Sequence, residues 1–195
     1  MAIHLLVVAQ HASSAFGLGV DQAATLAQPT PSFQVARCGS PRELVKTVRG
    51  VASRTGQRID VLDLFDHGLP GRQDMGDDVL FDHLGTGMQT ALALRPLLTA
   101  DARVRLLGCE TALGPNGQAL LRLLHETLGG SITVYGTTTM VEAGDPVAQD
   151  FDGSGFKKVR EDSFLFSSTE AATRPLSARE TRDQELREWY ATLSA

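Results

Sequence analysis

Residues 59–68 read IDVLDLFDHG, a short run of apolar and β-branched residues that stops at a His-Gly pair. The composition of residues 59–65 is typical of a strand that is buried on both faces, as in a parallel sheet. Four similar runs lie at 3–9, 33–37, 104–107 and 132–135. The run at 104–107 also stops at a glycine, in the order Gly108-Cys109.

Segments with the helical spacing of apolar residues separate these runs, at 41–53, 84–98 and 116–128. Ser40 and Pro41 form a good start for the first helix, and Gly129 closes the last one. Strands that alternate with helices predict a mixed α/β fold. We expect a three-layer sandwich, with a mostly parallel central sheet and helices on both faces.

Three segments break this alternation. Residues 66–83 are rich in Gly and Asp and too long for a tight turn, which indicates a functional loop or a small hairpin. A hairpin is expected over about 147–168 and a helix over about 177–193, in a single domain spanning 1–195 whose core is about 1–140. An apolar stripe on the last helix is expected to dock on the body or on a partner. The stripe consists of Leu186, Trp189, Tyr190 and Leu193.

The composition excludes several classes of protein. The 195 residues contain 18 Lys+Arg and 23 Asp+Glu, and the net charge of −5 argues against nucleic-acid binding. No apolar run is long enough to cross a membrane. The N-terminal apolar run has no basic residue before it, so we interpret it as a strand and not as a signal peptide, and we expect a cytoplasmic protein. Two cysteines are too few for a disulfide framework.

Ligands of open α/β sheets collect at the carboxyl ends of the strands. The polar residues that follow the predicted strands are His11, Ser13, Asp66, His67, Cys109, Glu110 and Thr137. If the strands before His67 and Cys109 are neighbours, about 4.8 Å apart, these two side chains meet over the edge of the sheet. An imidazole there helps a thiol to form a thiolate and later protonates a leaving amine. The N–H groups of Gly68 and Cys109 are suited to an oxyanion hole.

The order of strand, His-Gly, strand and Gly-Cys resembles that of the caspase-like cysteine peptidases, which include caspases, metacaspases, gingipains and legumains. The pattern is most similar to a bacterial caspase-like domain of poorly known function, with His-Gly-x-x-Gly followed by Gly-Cys-x-x-Ala. The matching stretches are FDHGLPG (65–71) and LLGCETALGPNGQALLRLL (106–124), and the resemblance covers roughly residues 3–140. It implies that the three-layer sandwich is caspase-like, and it implies a Cys109 nucleophile, a His67 acid–base, a peptide or protein substrate, and no cofactor.

Two departures limit what the resemblance implies about specificity. Metacaspases have an acidic residue two positions before the nucleophile, where this chain has Leu107. Caspases have Gln-Ala-Cys where this chain has Leu-Gly-Cys, so neither a basic nor an aspartate preference follows. The candidates for the substrate pocket are His11, Ser13, Asp66, Glu110 and Thr137.

Two other functions stay open at this point: a catalytically inactive caspase-like binding or regulatory module, and a flavodoxin-like domain that binds a small anion at helix N-termini. No metal site is predicted, because the histidines are scattered along the chain. Residues 150–161 share some features of a calcium loop, but their strand-like flanks fit a hairpin better. Cys38 is interpreted as structural.

Overall fold

A computed structural model describes residues 2–11, 30–138 and 165–168. In chain order the elements are β1 (His4–Ala9), β2 (Phe33–Cys38), α1 (Pro41–Thr55), β3 (Ile59–Phe65), β4 (Gly68–Leu69), β5 (Arg72–Met75), β6 (Asp78–Asp82), α2 (Met88–Leu94), a 3₁₀ turn (Arg95–Leu97), β7 (Leu98–Leu106), α3 (Gly114–Leu128), β8 (Thr133–Thr137) and β9 (Leu165–Ser167). No helix within these described ranges is long and apolar enough to cross a membrane.

The main sheet has six strands in the order β2-β1-β3-β7-β8-β9. The first five are parallel to their neighbours, and β9 runs antiparallel to β8. This arrangement confirms the predicted α/β class with a mostly parallel central sheet. Leu5, Leu6, Val7 and Val8 of β1 are fully buried although successive side chains point to opposite faces. The sheet is therefore a middle layer, as in a three-layer sandwich.

The three described helices form one layer on the sheet. The crossovers from β2 to β3, from β3 to β7 and from β7 to β8 all move in the same direction across the sheet, so right-handed connections place α1, α2 and α3 on the same face. In agreement, α2 packs against both α1 and α3. Helix α1 buries Leu44, Val48 and Val51, and it ends at Gly56 in the left-handed conformation.

The segment between β3 and α2 forms a second, antiparallel sheet in the order β4-β5-β6. For residues 66–83, predicted as a functional loop or a small hairpin, the structure agrees with the small hairpin, extended by a third strand. Met75, Leu80 and Phe81 are buried, so the small sheet is fixed to the body of the domain. It packs against α1 and α3, and its hairpin at Gly76 lies against the Gly39 carbonyl just after β2. The small sheet thus covers part of the carboxyl edge of the main sheet.

The predicted helix at 84–98 is wrong at both ends. Gly85 and Gly87 adopt φ values of 105° and 80°, which an α-helix does not permit, so α2 begins only at Met88. Leu84, the first apolar residue of the predicted helix, is 82% exposed. Pro96 lies in the 3₁₀ turn, and β7 begins directly after it, earlier than the predicted strand at 104–107.

Several predictions lie outside the described residues. They are the C-terminal helix with its apolar stripe, the calcium-like segment at 150–161, Ser13, and most of the hairpin at 147–168. Of that hairpin the structure describes only β9, which pairs with β8 through the register Gly136 with Phe166.

Candidate active site

The candidate site lies where two neighbouring strands end. Strands β3 and β7 are paired in parallel, with Leu64 opposite Leu106. His67 comes two residues after the end of β3, and Cys109 comes three residues after the end of β7. The condition set by the sequence, that these two strands are neighbours, is therefore met.

Two glycines bring the histidine loop and the cysteine loop into backbone contact. A methyl group added at Gly68 would lie 2.9 Å from the Gly108 Cα atom, and one added at Gly108 would lie 2.8 Å from the His67 carbonyl oxygen. Such distances are too short for a side chain, so only glycine fits at either position. The backbone contact between Gly68 and Gly108 therefore holds His67 and Cys109, the residues next to these glycines, on adjoining loops.

A buried glutamine on β5 joins the same two loops. The Gln73 Oε1 atom accepts a hydrogen bond of 2.9 Å from the Gly108 N–H, and its Nε2 atom donates to the His67 carbonyl at 3.2 Å. Gln73 is fully buried, so these polar contacts are shielded from water. Through Gln73, the small sheet therefore fixes the position of Gly108, just before Cys109, relative to the backbone of His67.

Two threonines fix the cysteine loop from the other side. The Thr137 hydroxyl at the end of β8 donates to the Gly108 carbonyl, and the Thr137 N–H donates to the Thr111 hydroxyl at 3.0 Å. Thr111 in turn donates to the Leu106 carbonyl at 3.2 Å. Both threonines are fully buried. Thr137, a predicted pocket residue, is thus a support of the loop that carries Cys109.

The residue after the cysteine has an unusual backbone. Glu110 adopts φ 57°, a left-handed conformation that non-glycine residues seldom take. Its carbonyl accepts a hydrogen bond of 2.8 Å from the Leu113 N–H, which closes the turn leading into α3. Backbone strain of this kind tends to occur at functional sites.

A second polar cluster adjoins His67. Asp66 is buried, and its Oδ1 atom lies 2.6 Å from His11 Nε2 while its Oδ2 atom accepts a hydrogen bond of 2.7 Å from the Gly76 N–H. The His11 and His67 rings meet edge to face, with centroids 5.2 Å apart. The expectation that the histidines are scattered is wrong for this pair, because β1 and β3 are neighbours and bring their ends together.

Burial raises the pKa of the Asp66 carboxyl, although the His67 N–H, His11 and the Gly76 N–H all act to lower it. Asp66 and His11 were both candidates for the substrate pocket. The structure places the Asp66 carboxylate fully out of solvent and leaves the His11 side chain 3% exposed. Their observed contacts are with each other, with His67, with the Gly76 N–H and with the Asp77 carboxylate.

The two cysteines occupy different environments, and neither is in a disulfide. Cys38 is buried at the end of β2, where its thiol donates to the Ser40 carbonyl at 3.0 Å. Burial raises the pKa of this thiol. Cys109 is half-buried. The burial of Cys38 agrees with its interpretation as a structural residue.

Residues 18–143, more than half of the chain, match a family described as a domain of unknown function (DUF4347). The chain belongs to the DUF4347 family. The match includes both His67 and Cys109, whereas β1 and His11 precede it. No curated protein matches this DUF4347 chain.

Sequence reasoning did not find two residues that build the site of this DUF4347 domain. Gln73 lies in a polar segment, and its role depends on a burial that only the tertiary structure reveals. Thr111 was read only as one position of the Gly-Cys-x-x-Ala pattern. A usable signal was present for the glycines, since glycine beside both a predicted histidine and a predicted cysteine indicates close backbone approach.

Proposed function

We propose that this DUF4347 domain is a caspase-like cysteine peptidase that hydrolyses peptide bonds with Cys109 and His67. The observation that carries the proposal is the contact between Gly68 and Gly108, which places the two loops against each other at the ends of neighbouring strands. A nucleophile and its base must be within reach of each other and must be held there. Gln73 and Thr137 supply the second condition.

The proposed reaction uses the two side chains in sequence. The Cys109 thiol gives its proton to His67, and the thiolate adds to the carbonyl carbon of the scissile peptide bond. The C–N bond breaks as His67 returns that proton to the leaving amine, and the acyl group stays on the sulfur. A water molecule that gives a proton to the same imidazole then attacks the thioester. The acid is released and the thiol is restored.

The register of the small sheet supports Gly68 as an oxyanion donor. The Asp74 N–H donates to the His67 carbonyl at 3.0 Å, so this carbonyl faces β5. Gly68 lies opposite Gln73, in the next position of the ladder, which is not hydrogen-bonded. Because β4 is an edge strand, the Gly68 N–H points away from β5. The Cys109 N–H is the proposed second donor.

The substrate is proposed to be a peptide or protein, and the compartment to be the cytoplasm, where thiols stay reduced. Among the pocket candidates in the described part of the chain, Glu110 is half-buried and directly follows Cys109. Asp66 and Thr137 are buried, and their proposed role is to hold the neighbouring loops in place.

The test is labelling with a series of peptidyl acyloxymethyl ketones that differ in the terminal residue. We expect Cys109→Ala to abolish labelling and Cys38→Ala, the matched control, to retain it. His67→Ala is expected to lower the labelling rate by about 10²–10⁴-fold. Thiol reactivity measured against pH gives a second readout, since a catalytic cysteine reacts well below pH 8.5.

Two outcomes contradict the peptidase. In one, Cys109→Ala labels as fast as the wild-type chain. In the other, Cys109 of the folded wild-type chain behaves like Cys38 and reacts only after denaturation, which indicates an inactive binding module with the same fold. A circular-dichroism spectrum of each variant shows whether a loss of labelling reflects loss of folding.

A further inference from the structure

Beside the proposed dyad, three potential metal ligands converge from two strands. They are His11 after β1, and Asp66 and His67 after β3. One donor atom from each lies within 4.8 Å of the other two. Since β1 and β3 are paired in register up to Val8 and Phe65, the backbone under the cluster is fixed by the sheet.

The donor set has a definite chemical preference. Two imidazoles and one carboxylate suit first-row transition-metal ions such as Zn²⁺, whereas Ca²⁺ and Mg²⁺ prefer oxygen ligands. Zinc–ligand bonds of about 2.0–2.2 Å place tetrahedral donor atoms about 3.4 Å apart. Closing the cluster from 4.8 Å therefore requires one ring to move by up to about 1.4 Å, estimated from those bond lengths. The His67 ring is exposed and can move without disturbing the core.

The surroundings of Asp66 resemble the support that metal ligands receive in proteins. Its carboxylate accepts hydrogen bonds from the backbone N–H groups of His67 and Gly76, which hold it in a fixed orientation. A carboxylate has about four acceptor positions, so these two contacts leave room for a metal ion. The other ring nitrogen of His11 lies 3.5 Å from Asp77 Oδ1, so a second carboxylate helps to orient the ring.

We propose that His11, Asp66 and His67 bind one divalent transition-metal ion of the zinc type. The ion takes the place of the hydrogen bond between His11 Nε2 and Asp66 Oδ1, and the ring proton is released to solvent. Binding itself does not depend on peptidase activity. Its consequence for catalysis rests on the proposed function, because an imidazole that ligates a metal cannot accept the Cys109 proton.

The direct test is titration of the full chain with Zn²⁺ by calorimetry, and with Co²⁺ by its visible absorption. Both titrations are to be run on wild type and on Cys109→Ala, because the proposed site needs no thiol. We expect one ion per chain in both proteins, with no sulfur-to-cobalt charge-transfer band. His67→Ala and His11→Ala are each expected to weaken binding by at least about 100-fold, more than is usual for loss of an outer-shell partner.

His83→Ala is the matched control, since His83 lies at the end of the same small sheet but outside the cluster, and it is expected to bind Zn²⁺ like wild type. His67→Ala protects the test against misfolding of His11→Ala, because His67 is exposed. Three results overturn the proposal: no saturable binding in the folded chain, binding unchanged in His67→Ala, or binding lost in Cys109→Ala.

Failure of this site and failure of the peptidase are distinguishable. A chain that binds Zn²⁺ but is never labelled by the ketone probes has the metal site without the activity. A chain that is labelled, and whose labelling is insensitive to Zn²⁺ at saturating concentration, contradicts the inhibitory consequence. If both proposals hold, Zn²⁺ slows labelling of wild type, and chelator restores the full rate.

Discussion

Glu110 carries a backbone conformation that favours glycine, at the position directly after the proposed nucleophile. A β-branched residue tolerates φ 57° poorly, so Glu110→Val is expected to lower the free energy of unfolding by about 1–3 kcal/mol. Glu110→Gly removes the strain but adds freedom to the unfolded chain, so its stability should lie within about 1 kcal/mol of wild type. Urea unfolding of the two variants measures the difference. Equal stability of the two would show that the turn is not strained.

Gln73 is the residue whose loss should affect both loops at once. In Gln73→Ala the buried Gly108 N–H loses its acceptor, which costs about 1–3 kcal/mol of unfolding free energy. If the site is a peptidase, the labelling rate at Cys109 falls further than stability alone explains. Gln73→Glu is the matched variant, since it keeps the acceptor for Gly108 and loses the donor to the His67 carbonyl. If Gln73→Ala is labelled at the wild-type rate, Gln73 does not position the residues of the site.

Alanine substitutions at two glycines should have opposite effects on stability, because one glycine lies in a helix and the other in a close contact between loops. In α1 a methyl group at Gly50 meets nothing nearer than 3.8 Å, at the flexible end of Arg54. Gly50→Ala is therefore expected to raise the unfolding free energy by about 0.5–1 kcal/mol. Gly68→Ala is expected to lower it by about 1–3 kcal/mol, because the added methyl group overlaps Gly108 and Thr111. Thermal or urea unfolding of both variants gives the signs. A stabilising Gly68→Ala would contradict the close contact.

At the level of elements, apolar runs and caps carried most of the prediction. The run at 59–65 matches β3, and the Ser40-Pro41 start and Gly56 end bound a helix that the apolar spacing placed correctly. The start of α2 could not be predicted in this way. The apolar spacing continues through 84–87, and the left-handed glycines that interrupt it become visible only in the structure.

The site was predictable in part for the same reason. Strand ends follow from apolar patterning, so His67 and Cys109 could be named from their positions after two strands. The contact of His11 with Asp66 depends on which strands are neighbours, and that order is a property of the whole sheet. Patterning along one chain does not contain it.

At the scale of the whole molecule, one buried ionic group joins the three central strands. Asp63 of β3 is fully buried, accepts hydrogen bonds of 2.5 and 2.6 Å from Arg105 of β7, and lies 2.5 Å from His4 Nε2 of β1. Burial acts to raise the pKa of Asp63, but the Arg105 guanidinium and His4 outweigh it, so the pKa is lowered. The unfolded chain therefore takes up this proton at a higher pH than the folded chain.

The stabilising contribution of Asp63 is complete above its ordinary pKa of about 3.9, and it is lost as the pH falls towards the lowered value. Asp63→Asn removes the negative charge that neutralises the Arg105 guanidinium. We expect a loss of about 3–5 kcal/mol of unfolding free energy at pH 7. Urea unfolding at decreasing pH should show a smaller difference in unfolding free energy between Asp63→Asn and wild type. Asp101→Asn, an exposed change on the same strand β7, is the control and should have little effect. A difference that stays constant with pH would contradict the lowered pKa.

The meeting of Gly68 and Gly108 also has a consequence in time. During synthesis His67 leaves the ribosome before β7 and Cys109 exist, and until β7 joins β3 the imidazole and the thiol are separate groups. A nascent chain, or one that has lost the β3–β7 pairing, therefore has no assembled site. For the proposed peptidase, completion of the sheet would then be the activation step, and the enzyme would not cleave its own translation machinery before it has folded.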